Sequence, residues 1–183
     1  MYSGGSRRRR RPSGTDVGDP LGVQAPPLPF RPANEAAGED ILAIFGTHGG
    51  DGSAFRCQCQ RYKAIPRRLD YADALRPLGE RAARLREQTQ CGNPAAASTS
   101  GIVAYWDGEP VGWCAVERRS HHTNLGRVPW SGRSENKCDE GIWAPTCFVV
   151  RSGFRRRGVS YALARAAVDF AWKRGARVLE GYP

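Results

Sequence analysis

Between Ile142 and Gly181 the chain runs through an apolar segment, an arginine-rich turn, an amphipathic stretch and a second short apolar segment. Ile142–Val150 is β-rich and ends in the unbroken run Cys147-Phe148-Val149-Val150, which predicts a strand buried on both faces. From about Gly158 to Arg174 the period becomes helical. Val159, Leu163, Ala166, Ala167 and Phe170 share one side, and Arg165, Asp169 and Lys173 lie opposite at a spacing that allows mutual ion pairing. Gly175 stops this helix, and Ala176–Gly181 reads as another strand. Strand, helix and strand within about 40 residues form a βαβ-like arrangement, and a fold of this chain must accommodate it.

Upstream, the clearest signal is a hairpin. Ile102–Trp106 and Pro110–Glu117 alternate and are β-rich, and Asp107-Gly108 between them supplies the positive φ that a tight turn requires. Residues 118–141 are a polar loop with Arg118, Arg119, His121, His122, Trp130, Lys137 and Asp139. Pro77–Gln88 is helical, with Leu78, Ala82 and Leu85 inward, Glu80, Arg81, Arg84, Arg86 and Glu87 outward, and Gly92 to close it. Pro27–Pro32 is a short extended piece. Asn34 is the expected N-cap of a helix from Glu35 to Phe45 that buries Ile41, Leu42 and Phe45 and ends at Gly46. Residues 47–56 form a Gly-rich loop.

Residues 1–26 are Gly, Ser, Pro and Arg without periodicity, and their composition predicts a disordered tail, with the folded domain spanning 27–183. The tail reads as a solvated extension, with a basic arm touching nucleic acid as the alternative. Leu, Ile, Val and Phe number 32 in 183 residues, but only five fall within 1–40. The apolar deficit therefore belongs largely to the head and not to the domain that must build a core.

The formal charge is +10, and 25 of the 28 basic residues are Arg. A basic chain invites an anionic partner, nucleic acid first. No nucleic-acid motif accompanies the charge, however, and Arg over Lys together with much Ala, Gly and Pro is what GC-rich codons give. A smaller polyanion fits better, with a basic nucleic-acid-binding module kept as an alternative. No segment approaches the roughly 20 apolar residues that span a bilayer, and no secretory signal follows Arg7–Arg11, so no membrane partner is expected. Six Cys in such a chain read as reduced thiols, which implies a cytoplasmic setting. Cys57-x-Cys59 has no second pair at metal spacing and His48, His121 and His122 are scattered, so no metal site is expected.

Chemistry concentrates at the strand-to-helix junction Phe148–Ser160. A Gly-containing turn at a helix start leaves backbone N–H groups unpaired, and the helix dipole adds partial positive charge. Gly158 lets the backbone approach a phosphate, and Arg155, Arg156 and Arg157 add fork-shaped donors. Neither Gly-Lys-Ser/Thr nor Gly-x-Gly-x-x-Gly is present. The residues themselves imply a phosphate-bearing ligand at a helix N-terminus, or else an exposed basic turn.

This junction resembles motif A of the GNAT superfamily of N-acetyltransferases, Arg/Gln-x-x-Gly-x-Gly/Ala, with Arg155, Gly158 and Ser160 at the signature positions; Ser160 departs from the usual Gly or Ala. The run Glu109–Glu117 is similar to the family's preceding strand, Gly175–Pro183 to its next strand, and Pro29–Pro32 with the following helix to its opening. The resemblance implies an α/β (α+β) fold, a mixed, largely antiparallel sheet flanked by helices. It also implies a domain lacking the family's C-terminal helix and last two strands, hence a truncated enzyme. The implied co-substrate is acetyl-CoA, with Phe148, Val149 and Val150 along the pantetheine and Arg155, Arg156, Arg157, Gly158, Val159 and Ser160 at the pyrophosphate. An unidentified amine would attack the thioester directly in a ternary complex, assisted by an N–H near Val149 or Val150. Glu117 is the first candidate for the base, followed by His121, His122 and Asp139 or a water chain. Cys147 is read as packing, with a covalent acyl carrier as the other reading. A non-catalytic CoA-binding fragment and a homodimer stay open.

Overall fold

The computed structural model describes residues 27–46, 58–60, 62–63, 78–123, 125, 136 and 138–181. Asp107 and Gly108 both adopt positive φ, 49° and 82°, and fold β2 (Gly101–Trp106) back onto β3 (Glu109–Arg118) as a two-residue hairpin. β1 (Phe30–Pro32) adds antiparallel to β2, and β4 (Ile142–Val150) adds antiparallel to β3. β5 (Val178–Leu179) pairs parallel with β4, so the sheet order is β1-β2-β3-β4-β5. This is a mixed α+β fold with a largely antiparallel sheet flanked by helices. The expected βαβ unit is present, although its last strand is shorter than Ala176–Gly181.

α1 (Gly38–Phe45) and α2 (Leu78–Thr89) precede β2, and α3 (Val159–Lys173) links β4 to β5. One face of the sheet packs Val103, Tyr105, Trp113 and Ala115 against Ile41, Ile44 and Phe45 of α1 and Leu85 of α2. The other packs Ile102, Ala104, Cys114 and Val116 against Val159, Leu163, Ala167 and Phe170 of α3. The alternation of β3 thus feeds two cores at once. At Gly112 the sheet and α3 come so close that a Cβ would meet Leu163 Cδ1 at 2.9 Å and Val159 Cγ1 at 3.0 Å.

Several expectations need correction. α1 starts at Gly38 after a 3-10 turn, Ala33–Glu35, and Ala37 is its N-cap. Asn34 caps nothing. It is buried, and its side-chain amide donates to the carbonyls of Asn93 and Pro94, both at 3.4 Å. Ile44 is buried while Leu42 is half-buried, because Ile41, Ile44 and Phe45 share one face at i, i+3 and i+4. Gly46, at φ 82°, does end the helix. On α2, Arg81 is buried and not outward. On β4, Phe148 is 43% exposed, against the expectation of burial on both faces. Its pairing with Cys114 places it on the α3 side, and it lies outside the core that α3 forms there. The proposed tail 1–26, the loop 47–56, Cys57, Trp130, Lys137 and the side chain of Leu78 lie outside the described residues.

Side-chain hydrogen bonds order the loop after β3 and tie it to the segment around β5. Arg119, buried, donates to Glu180 Oε2 at 3.1 Å and to the Asn136 carbonyl at 2.9 Å. Arg177 grips both oxygens of Asp139 at 2.7 and 2.8 Å. Asp139 Oδ1 also accepts the Gly141 N–H at 2.8 Å.

Candidate functional site

α3 begins with its donors uncommitted. Gly158 is the N-cap in left-handed conformation, φ 80° and ψ 0°, and no side chain caps the first turn. A left-handed residue bearing a Cβ is strained by about 1–2 kcal/mol, so glycine here is a conformational requirement. The turn before it is a 3-10 piece, Ser152–Phe154, followed by Arg156 at φ 57°. Arg155, Arg156 and Arg157 are exposed. Arg155 Nε donates to the Val150 carbonyl at 3.2 Å, which ties the turn to the end of β4. Arg157 lies 6.0 Å over the Trp106 ring and 5.7 Å over that of Phe154, and Arg151 donates to the Pro110 carbonyl at 2.9 Å. The basic turn is therefore braced from both sides, while the α3 terminus points its backbone N–H groups outward.

Phe148, Val149 and Val150 lead directly into this turn. Val149 faces the α1 side, is buried and pairs with Trp113. Val150 is half-buried against the α3 side, and Phe148 is exposed. Past Trp143, β4 has no β5 partner, so one edge of its backbone is open toward the turn. A bulge sits on the same strand: Ala115 pairs with Cys147 and Val116 with Pro145, leaving Thr146 extra.

The second cluster surrounds Glu117, which is buried on β3 opposite Ala144. Its Oε1 is ion-paired with the Lys63 ammonium. Its Oε2 lies 3.2 Å from Nδ1 of His121, and its Oε1 lies 3.8 Å from Nε2 of His122. Burial would raise the carboxyl, but the His121 hydrogen bond and the Lys63 charge outweigh it and hold Glu117 below the ordinary carboxylate range. His122 is pushed down to about 4, chiefly by burial, against the attraction of Glu117. The cluster opens on a cavity of about 800 Å³ that is also lined by Gln88, Gln90, Ser98, Thr99 and Trp143.

The residues expected at the site thus fall into two groups. Phe148–Val150 and Arg155–Ser160 come together at the end of β4 and the start of α3. Glu117, His121 and His122 come together beside Ala144, six residues earlier on the same strand, about 20 Å along it. Asp139 joins neither group, since its oxygens are taken by Arg177 and Gly141. Sequence reasoning missed Lys63, which no motif marks and which reaches Glu117 only through the fold. It also missed the unequal fates of adjacent histidines, His121 exposed and His122 buried. Among the described residues no group of His, Cys, Asp and Glu could hold a metal, and no helix is long and apolar enough to cross a membrane.

Comparison with known proteins shows the family. The acetyltransferase (GNAT) family model matches residues 68–181, well over half the chain. No curated protein sequence matches it. Among solved structures, the chain resembles a transcriptional regulator from Bacillus halodurans C-125 at 17% identity, covering 85% of this chain and 81% of that one, with a TM-score of 0.47. A GCN5-related N-acetyltransferase from Ralstonia eutropha JMP134 shares 17% identity, over 85% and 83% of the two chains, with a TM-score of 0.46. The aminoglycoside N-acetyltransferase AAC(6')-Iy, in complex with CoA, shares 19% identity over 58% of this chain with a TM-score of 0.41, and the match spans 60% of that protein's length. The match of the family model over the hairpin, β4, the basic turn and α3 settles the assignment: the chain belongs to the GNAT family of acetyltransferases.

Proposed function

We propose that this chain transfers an acetyl group from acetyl-CoA to an amine by direct attack in a ternary complex. The observation that carries the reading is the continuity of β4's open edge with the uncapped N-terminus of α3. A pyrophosphate fits such a terminus: Gly158 presents no Cβ, and Val159 and Ser160 supply main-chain N–H groups. Arg155, Arg156 and Arg157 add charge around it. Phe148, Val149 and Val150 border the path of the pantetheine, whose extended length suits the distance back toward Ala144. Acetyl-CoA supplies the activated thioester, and a backbone N–H near Val149 or Val150 faces the developing oxyanion.

Removal of the amine proton falls to Glu117 and His121 acting as a pair. A carboxylate held ionised by Lys63 is a weak base by itself. Its contact with His121 requires the proton on Nδ1 of the ring, which leaves Nε2 as an acceptor at the cavity. Glu117 then orients the imidazole and stabilises its cation, and His121 takes the proton.

The test is thiol release from acetyl-CoA across a panel of amines, alongside calorimetric titration of acetyl-CoA. Saturable binding weakened by Arg155→Ala, with thiol release that needs both an amine and His121, is the expected outcome. Binding without release with any amine would leave a CoA-binding protein and overturn the enzymatic reading.

A further inference from the structure

Two thiols, Cys59 and Cys147, lie on the α1 face of the sheet beside Trp113, and acetyl transfer as derived above uses neither of them. Cys147 is half-buried on β4 and pairs with Ala115, so it is a diagonal neighbour of Trp113 on the same face. Trp113 is fully buried and donates its indole N–H to Cys59 Sγ at 3.0 Å. Cys59 belongs to the core cluster against which Cys147 packs, and the neighbouring Cys59 thiol holds Cys147 below the ordinary thiol range. A third thiol, Cys114, points to the opposite core, where burial pushes it up and keeps it protonated.

The segment that carries Cys59 is pinned in an uncommon conformation. Gln58 and Cys59 are both left-handed, at φ 44° and 54°. A reciprocal amide pair, Gln60 with Gln88 at 3.0 and 3.2 Å, anchors it to α2, and Gln60 Nε2 also donates to the Gln58 carbonyl at 3.0 Å. Consecutive left-handed residues other than Gly persist only where surroundings over-determine them. Here the surroundings hold the Cys59 thiol against Trp113, in the cluster that Cys147 packs against.

We propose that Cys59 and Cys147 are a redox-active dithiol, which hydrogen peroxide converts to an intrachain disulfide between the 58–60 segment and β4. Cys147 is the attacking sulfur, because it is the less buried of the two and the neighbouring Cys59 thiol lowers its pKa toward the thiolate. Its sulfur attacks one peroxide oxygen, the O–O bond breaks, hydroxide leaves, and Cys147 becomes a sulfenic acid. Cys59 then attacks that sulfur, the S–S bond forms, and the sulfenyl oxygen departs as water with the thiol protons. Each sulfur loses one electron, the peroxide takes two, and two waters result. Lys63 follows Cys59 by four residues, so the bridge also fixes the approach of the ammonium that holds Glu117.

The full chain, reduced and then exposed to a few equivalents of hydrogen peroxide, provides the test by intact mass and peptide mapping after alkylation. The expected result is a loss of 2 Da, a linked peptide pair containing Cys59 and Cys147, and reversal by a thiol reductant. The bridge should raise Tm by about 5 °C. Cys59→Ser and Cys147→Ser should each abolish the 2 Da loss at the same dose. A dominant bridge through Cys57, Cys91 or Cys138, a stable sulfinic acid on Cys147, or no mass loss in the wild-type chain would each overturn the proposal. Wild-type mapping alone decides the matter if a variant fails to fold, and no readout depends on acetyl transfer.

Discussion

His122 Nε2 lies 3.8 Å from Glu117 Oε1, yet burial keeps the imidazole neutral beside the carboxylate. Its pKa falls from 6.5 to about 4 on folding. The unfolded chain therefore binds the proton first, and folding stability is lost as pH drops from about 6.5 to about 4, amounting to about 3 kcal/mol. Glu117, depressed by its partners, adds a loss in the same direction below the ordinary carboxylate range. Urea midpoints of wild type and His122→Asn between pH 4 and 7 check this. The variant should show a clearly flatter slope, and an unchanged slope would remove His122 from the account.

Glu117→Gln strands the buried Lys63 ammonium and should cost about 3–5 kcal/mol, read as a fall in the urea midpoint. His121→Ala touches an exposed ring and should cost under 1 kcal/mol while lowering kcat about 100-fold. Denaturation and thiol-release assays on the two variants separate the structural load on the carboxylate from the proton-transfer role of the imidazole. Equal kcat for His121→Ala and wild type would reassign the base.

Gly158→Ala places a Cβ on a left-handed residue and should destabilise by about 1–2 kcal/mol. Because the strain falls on the N-cap of α3, the Kd for acetyl-CoA should rise at least tenfold in calorimetric titration. Gly112→Val forces Leu163 and Val159 outward and should cost about 1–3 kcal/mol. Val159 is the residue after Gly158, so this variant should weaken acetyl-CoA binding from the opposite face of the helix.

Arg119→Ala removes the donor that joins the end of β3 to Glu180 beyond β5. The pair is nearly buried, 2% and 15% exposed by side chain, so the loss should be about 3 kcal/mol. Hydrogen exchange should accelerate at residues 178–180 while β2 and β3 keep their protection. Uniform acceleration across the sheet would mean that the contact supports the whole fold.

Much of the scaffold was legible because it rests on local rules. Asp107-Gly108 marked the hairpin through backbone φ, and the side-chain period from Val159 to Phe170 marked α3. Arg155, Gly158 and Ser160 marked the family that the match over 68–181 bears out. What escaped depended on distant partners. Asn34 looked like a cap but spends its amide on Asn93 and Pro94, about 60 residues away. Arg81 sat in a charged run yet is buried. Phe148 belonged to an apolar run but stands open, because what covers a strand's face is set by other elements and is not written in β4 itself. Lys63 carried no local signal for its place against Glu117.

The N-terminus of α3 has no side-chain cap, and this carries a consequence for handling the protein. Its first-turn donors must be satisfied by whatever the solution provides, so buffer oxyanions are competitors and not bystanders. Phosphate and sulfate should occupy the turn beside Arg155–Arg157 and raise the apparent Kd for acetyl-CoA in proportion to their concentration. Chloride at equal ionic strength should act mainly by screening. Affinity for this terminus is therefore a property of helix and medium together, and comparisons between variants hold only within one buffer.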